Sequence, residues 1–204
     1  MQQIKNIIFD LGGVLLNIDY NKTSAAFQQL GFENFDALFS QFKANELFEN
    51  LETGKISDEI FYREIQQYAP QKVAQQDIYI AWNAMLLDFR KSSLDFLETI
   101  KDKYRLFLLS NTNIIHVTAF KEILQKETGK ASLDGYFIKS YYSHEIKLRK
   151  PYKDIYQFIL QDGGMKAEET LFIDDSYNNI EAAKELGIQT HLLLPGERIE
   201  NLGL

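Results

Sequence analysis

Short apolar runs with polar ends recur along the chain. They are IKNIIF at 4–9, RLFLLS at 105–110, GYFIKSYY at 135–142, TLFID at 170–174 and THLLL at 190–194. Runs this short, apolar on consecutive positions and β-branched in places, mark strands buried on both faces, as in a parallel sheet. Helical periodicity fills most of the gaps. Ser92 or Ser93 is placed to cap a helix reaching about Lys103, with Leu94, Leu97 and Ile100 on one face. A second helix is expected from Ile114 to about Glu127. A third spans Lys153–Gln161 and stops at Gly163-Gly164. Asn178 or Asn179 is placed to cap IEAAKEL, which ends at Gly187. Alternating strands and helices predict an α/β fold with a doubly wound parallel sheet.

Residues 17–90 have a different texture, with no strong strand. Asn21 is placed to cap TSAAFQQL, NFDALFSQF follows Gly31, Ser57 is placed to cap DEIFYREIQQYA, and QQDIYIAWNAML comes last. Four amphipathic segments rich in Phe and Tyr, with Trp82, predict a helical bundle. It is inserted after the first strand, so the expected organisation is a core of 1–16 and 91–204 with a helical cap of 17–90.

Composition narrows the function classes. The chain has 204 residues, 45% of them hydrophobic, enough for one core with an insertion. Its formal net charge is −7, with no Lys/Arg cluster, which argues against a nucleic-acid partner. Cysteine is absent, which excludes disulfides, thiolate catalysis and cysteine-based zinc sites. The three histidines stand far apart at 116, 144 and 191. No run approaches a membrane span of ~20 apolar residues. The apolar run at the N-terminus is short and ends in an acid, unlike a signal peptide. A cytoplasmic protein with no membrane partner is expected; oligomeric state is not legible.

Open α/β sheets bind ligands beyond the carboxyl ends of their strands. There the chain has Asp10, then Ser110-Asn111-Thr112, then Lys150 in KLRKP, then Asp174-Asp175-Ser176. Taken singly, each has an ordinary explanation as a turn residue, a helix cap or a solvated lysine. Together they supply carboxylates, a hydroxyl, an amide and an ammonium, which suits Mg²⁺ with a phosphate. Two adjacent carboxylates after an apolar strand also repel each other unless a cation or donors compensate.

In that order the four motifs resemble those of the haloacid dehalogenase-like hydrolases, in the branch with a helical cap after the first strand. FDLGGVL, LLSNTN, RKP and FIDDSYNNIEAAKELGI carry the likeness, which is closest to sugar-phosphatase members similar to α-glucose-1-phosphate phosphatases. The resemblance implies a Mg²⁺-dependent phosphatase acting on a small phosphorylated metabolite through an aspartyl-phosphate. It makes Asp10 the nucleophile and a metal ligand. It assigns the Gly12 carbonyl and Asp175 to the metal, and Ser110 and Asn111 to the phosphoryl group. Lys150 would neutralise charge on nucleophile and phosphate. Asp174 stands where many members have Gly, and Asn179 where many have a further Asp; both receive supporting roles.

Gly12 departs from the usual phosphatase pattern, which has a general acid–base Asp two residues after the nucleophile. That function is typically worth ~10²–10⁴-fold. One explanation is a phosphatase whose substrate leaves easily, such as a sugar with an anomeric phosphate, or one that uses another acid such as Asp19. A second is a metal-independent 2-haloacid dehalogenase, for which Asp174-Asp175 has no evident use. A third is a non-catalytic phosphate-binding protein on the same fold.

Overall fold

The computed structural model describes residues 3–33, 35, 37, 39 and 46–204. Five strands form one parallel sheet: β1 (Asn6–Phe9), β4 (Arg105–Ser110), β5 (Lys139–Tyr142), β6 (Thr170–Asp174) and β7 (Gln189–Leu192), in the order β5-β4-β1-β6-β7. The first strand lies at the centre, with Phe9 opposite Leu108 on one side and Ile173 on the other. Asp10 N–H continues this ladder by donating to the Ile173 carbonyl at 2.9 Å.

Alternate strand residues face opposite sides, which explains the unbroken apolar runs. Ile7, Phe9, Leu106 and Leu108 pack on one face beneath α5 (Lys91–Ile100) and α6 (Ile114–Thr128). Ile8, Phe107, Leu109 and Phe172 pack on the other beneath α8 (Lys153–Asp162) and α9 (Tyr177–Lys184), with the single turn α7 (Ser143–Ile146) following β5. The expected doubly wound sheet is therefore present.

Between β1 and α5 lie α1 (Tyr20–Gln29), α2 (Leu47–Glu52), α3 (Asp58–Gln66) and α4 (Gln75–Asn83). They share a separate apolar cluster that includes Phe27, Phe32, Phe35, Phe61, Ile65 and Trp82. Phe27 and Phe35 stack at 4.0 Å between ring centroids. The helix expected over 34–42 falls largely outside the described residues. The short helix α2 was not anticipated.

Several expectations need correction. The 17–90 stretch does contain strand: β2 (Leu16–Ile18) pairs antiparallel with β3 (Leu86–Phe89). Each is too short and too exposed on one face to give an apolar run. The strand expected over 135–142 is only four residues long, because edge strand β5 pairs only from Phe107 of β4 onward. Tyr136 and Phe137 precede it and enter the core. Three expected caps are replaced. Asp19, not Asn21, caps α1, accepting from Asn21 N–H at 3.0 Å. Arg90 holds the α5 cap position, while Ser93 donates to Glu200 at 2.9 Å. Ser176 precedes α9, which frees the Asn179 side chain for another use. Ser57 and Asn113 do cap α3 and α6.

Candidate active site

Lys150 is the centre of the constellation. It is 1% exposed, and its ammonium donates three hydrogen bonds: to Asp10 Oδ1 at 2.7 Å, Asp174 Oδ2 at 2.6 Å and the Leu109 carbonyl at 3.0 Å. All three donors are thus used. Burial alone would lower its pKa, but Asp10 and Asp174 outweigh it and hold the lysine charged, above its usual range. The Phe172 ring lies beneath the ammonium, 5.4 Å away at its centroid.

Asp174 is fully buried and saturated. Its Oδ1 accepts from Ser176 N–H at 2.8 Å and Asn179 Nδ2 at 3.0 Å; its Oδ2 accepts from Lys150 and from Asn179 Nδ2 at 3.0 Å. These bonds fit an orienting group for Lys150. The Asn179 carbonyl is in turn held by Tyr156 OH at 2.9 Å.

Asn111 faces the main chain of Lys150. Its Nδ2 donates to the Lys150 carbonyl at 2.8 Å, and its Oδ1 accepts from Lys150 N–H at 2.9 Å. The side chain expected on the phosphoryl group therefore clamps the lysine loop, which leaves its main-chain N–H for an anion. Ser110 is 4% exposed at the end of β4, beside the strand that ends in Asp10. Thr112 N–H is taken by Ser143 Oγ at 2.9 Å, which also donates to the Thr112 carbonyl at 2.9 Å.

The turn after Asp10 explains the glycines. Leu15 and Leu16 N–H both donate to the Leu11 carbonyl, and Gly13 N–H donates to the Leu16 carbonyl. These bonds leave the Gly12 carbonyl out of the turn's own network. Gly13 has φ +71°, and a Cβ there would fall 1.9 Å from Asp175 Oδ2. Only glycine lets Asp175 stand beside this loop, a requirement invisible in sequence. At Gly12 a Cβ would come within 2.5 Å of Ile18 Cδ1. That methyl is the tip of a flexible side chain, so a larger residue at position 12 would have to displace it. Asp19 serves as the α1 cap.

Asp10, Asp174 and Asp175 each offer an oxygen, all within 4.8 Å of one another. Three carboxylates face one ammonium, an excess of negative charge that fits a hard dication with oxygen ligands. Asp174 is already saturated, so Asp10 Oδ2 and Asp175 are the oxygens that remain. Burial, then Asp174 and Asp175, push the Asp10 carboxyl up to about 7 against the opposing pull of Lys150. Burial and then Asp174 also raise Asp175.

Tyr20 and Arg90 were missed in the sequence. Tyr20 opens α1 and is 66% exposed. Desolvation of its hydroxyl, then Asp10, Asp175 and Glu52, hold its pKa up. Arg90 bonds Asn17 Oδ1 at 2.8 Å and the Val14 carbonyl at 3.1 Å, near enough to Asp175 to feel its charge. The only signal for either was its position at the entry or exit of the inserted segment.

A parallel α/β sheet bearing a lysine-bridged carboxylate pair, with a helical insertion after its first strand, defines a hydrolase-type scaffold. The family model for haloacid dehalogenase-like hydrolases matches residues 4–187, and the chain belongs to that family. A D-ribitol-5-phosphate phosphatase of Bacteroides thetaiotaomicron is 32% identical over 187 residues, 92% of this chain and 90% of that protein. An enzyme of the family from the same organism, crystallised with magnesium and inorganic phosphate, has a TM-score of 0.89 at 35% identity, over 98% of this chain and 100% of that one. A HAD-like hydrolase from Porphyromonas gingivalis has a TM-score of 0.86 at 34% identity, over 96% and 94% of the two chains.

Proposed function

We propose that this protein is a Mg²⁺-dependent phosphatase of small phosphate monoesters, most simply of sugar or polyol phosphates. The observation that carries this reading is Asp10 held at a strand end by Lys150, with Asp175 beside it. The similarity to a D-ribitol-5-phosphate phosphatase supports the substrate class. A cytoplasmic location, where such phosphorylated metabolites are held, is part of the same proposal.

In this reading Asp10 attacks phosphorus and carries the phosphoryl group as an aspartyl-phosphate, which water then hydrolyses. Lys150 holds Asp10 in place and favours its ionised form against burial and the neighbouring acids. Ser110 and the Asn111 main-chain N–H receive phosphoryl oxygens. Asp10, Asp175 and the Gly12 carbonyl would hold Mg²⁺, which supplies charge neutralisation of nucleophile and phosphate when bound. Asp174 and Asn179 hold Lys150 and the metal side in register. The division into a core of 1–16 and 91–204 and a cap of 17–90 belongs to the same proposal, supported by the separate apolar cluster of the inserted helices. That cap would cover the leaving group and exclude water during transfer.

With Gly12 in place of an acid and Ile18 against it, protonation of the leaving oxygen falls to another group or to a substrate that needs little help. The test is a panel of sugar, polyol and nucleotide phosphates with Mg²⁺ or EDTA, beside 2-haloacids. Phosphate release that requires Mg²⁺ is expected. Halide release that persists in EDTA would replace this reading with a dehalogenase, and binding without turnover would replace it with a ligand-binding protein.

A further inference from the structure

The residue before Lys150 is held from the opposite direction. Arg149 Nη1 lies 3.0 Å from Glu49 Oε2, and its Nη2 lies 3.0 Å from Glu52 Oε2. Both carboxylates come from α2, three residues apart and so on one face. The three side chains are 25–27% exposed, so solvent screens them only in part. Three residues on, Tyr152 OH donates to the same Glu49 at 3.2 Å, and Tyr152 N–H closes the turn onto the Arg149 carbonyl at 3.1 Å. Just past α2, Gly54 sits so close to the His144 carbonyl that a Cβ would lie 2.3 Å from it.

A second seam joins the inserted helices to the sheet domain. The Trp82 ring of α4 stacks on His116 of α6 at 5.2 Å, nearly parallel. Asn83 Nδ2 donates to the Tyr79 carbonyl, so its Oδ1 is free to accept from His116 Nδ1–H at 2.8 Å. Each seam ends on a segment that carries candidate phosphate-side residues: 110–116 on one side, 149–152 on the other. Asn111 links the two through the main chain of Lys150.

Resting on the phosphatase reading, we infer that Arg149 is a positioning residue: by bridging Glu49 and Glu52 it seats the cap over the leaving-group side of the site. Its guanidinium suits this role because one planar fork reaches two carboxylates, which a lysine ammonium on a flexible stem does not match. The phosphate side does not depend on it, because Lys150 is separately fixed by Asp10, Asp174 and Asn111. Losing Arg149 therefore loosens selection of the leaving group and leaves the phosphoryl site intact.

The experiment compares Arg149→Ala, Arg149→Lys and the double variant Glu49→Gln/Glu52→Gln with the parent protein. Two substrates are used: a five-carbon polyol phosphate, whose leaving group reaches the cap, and acetyl phosphate, whose leaving group does not. Orthovanadate inhibition reads the phosphoryl site directly. Fluorescence of Trp82, the sole tryptophan, reads cap seating without any turnover. For Arg149→Ala and the double Gln variant, kcat/KM on the polyol phosphate is expected to fall about tenfold. Acetyl phosphate turnover and vanadate inhibition should stay within about twofold, and Trp82 emission should move to longer wavelength. Arg149→Lys should fall between. Unchanged polyol phosphate kinetics would overturn the assignment, and so would equal losses on both substrates, which would mean that Arg149 acts through Lys150. If the parent protein hydrolyses neither these esters nor any of the sugar and nucleotide phosphates, the phosphatase reading fails by itself. Trp82 emission that does not shift in either variant would then sink the seating role separately.

Discussion

Lys150 Nζ lies 2.7 Å from Asp10 Oδ1, and neither side chain has much contact with water. The pair is strong only as long as both members are present. Removing the lysine strands two buried carboxylates, and such losses typically cost ~3–5 kcal/mol. We expect Lys150→Met to lower the urea midpoint substantially and to abolish phosphate release. A variant with parental stability would show that the lysine is not holding the acids.

Asp10 itself burdens the metal-free fold. Its carboxyl rises from 3.8 to about 7 on folding, so this one group's contribution to stability is fully present below pH 3.8 and is lost as pH climbs through 7. Asp10→Asn removes that load, while Asp174 still pairs with Lys150. In EDTA at pH 8 the variant should melt no lower than the parent, even though turnover disappears. A marked fall in Tm would contradict this balance.

Protons and Mg²⁺ compete for the same Asp10 oxygen. Affinity for the ion should therefore weaken as pH drops through about 7 and level off above it. Calorimetric titration of Mg²⁺ at several pH values measures this directly. An affinity flat from pH 6 to 8.5 would argue that Asp10 is not a ligand.

Gly13 makes room for Asp175. Ala at this position meets Asp175 Oδ2 and is strained at φ +71°. Gly13→Ala should lose Mg²⁺ affinity by about tenfold or more while keeping its circular dichroism spectrum. Unchanged affinity would remove Asp175 from the metal site.

His116 is buried against Trp82, and its pKa falls to about 3 because burial disfavours the charged ring. The unfolded chain takes up that proton near 6.5 and the folded one does not, so stability falls as pH drops from 6.5 toward 3. His116→Gln should flatten this acid limb of a Tm-versus-pH curve. An identical limb would assign the acid sensitivity elsewhere.

The sheet was legible because strands buried on both faces leave unbroken apolar runs. The strand-end residues Asp10, Ser110 and Asp174 fell in register for the same reason, while Lys150 lies in the loop eight residues past β5. β2 and β3 were not, since three or four half-exposed residues carry no comparable signal. Asn111 and Asn179 were placed in the right neighbourhood, but their partners, the Lys150 main chain and Asp174, depend on contacts across 39 and 5 residues. The need for glycine at 13 and the contact of Ile18 with position 12 arise from atoms brought together only in the folded chain.

The central claim is that Asp10 is the nucleophile of a Mg²⁺-dependent phosphatase. Phosphate release from a responsive sugar or polyol phosphate should be measured for the parent protein and for Asp10→Asn, each with Mg²⁺ and with EDTA. The expected result is release only by the parent with Mg²⁺. Full activity in Asp10→Asn, or activity undiminished by EDTA, would contradict it.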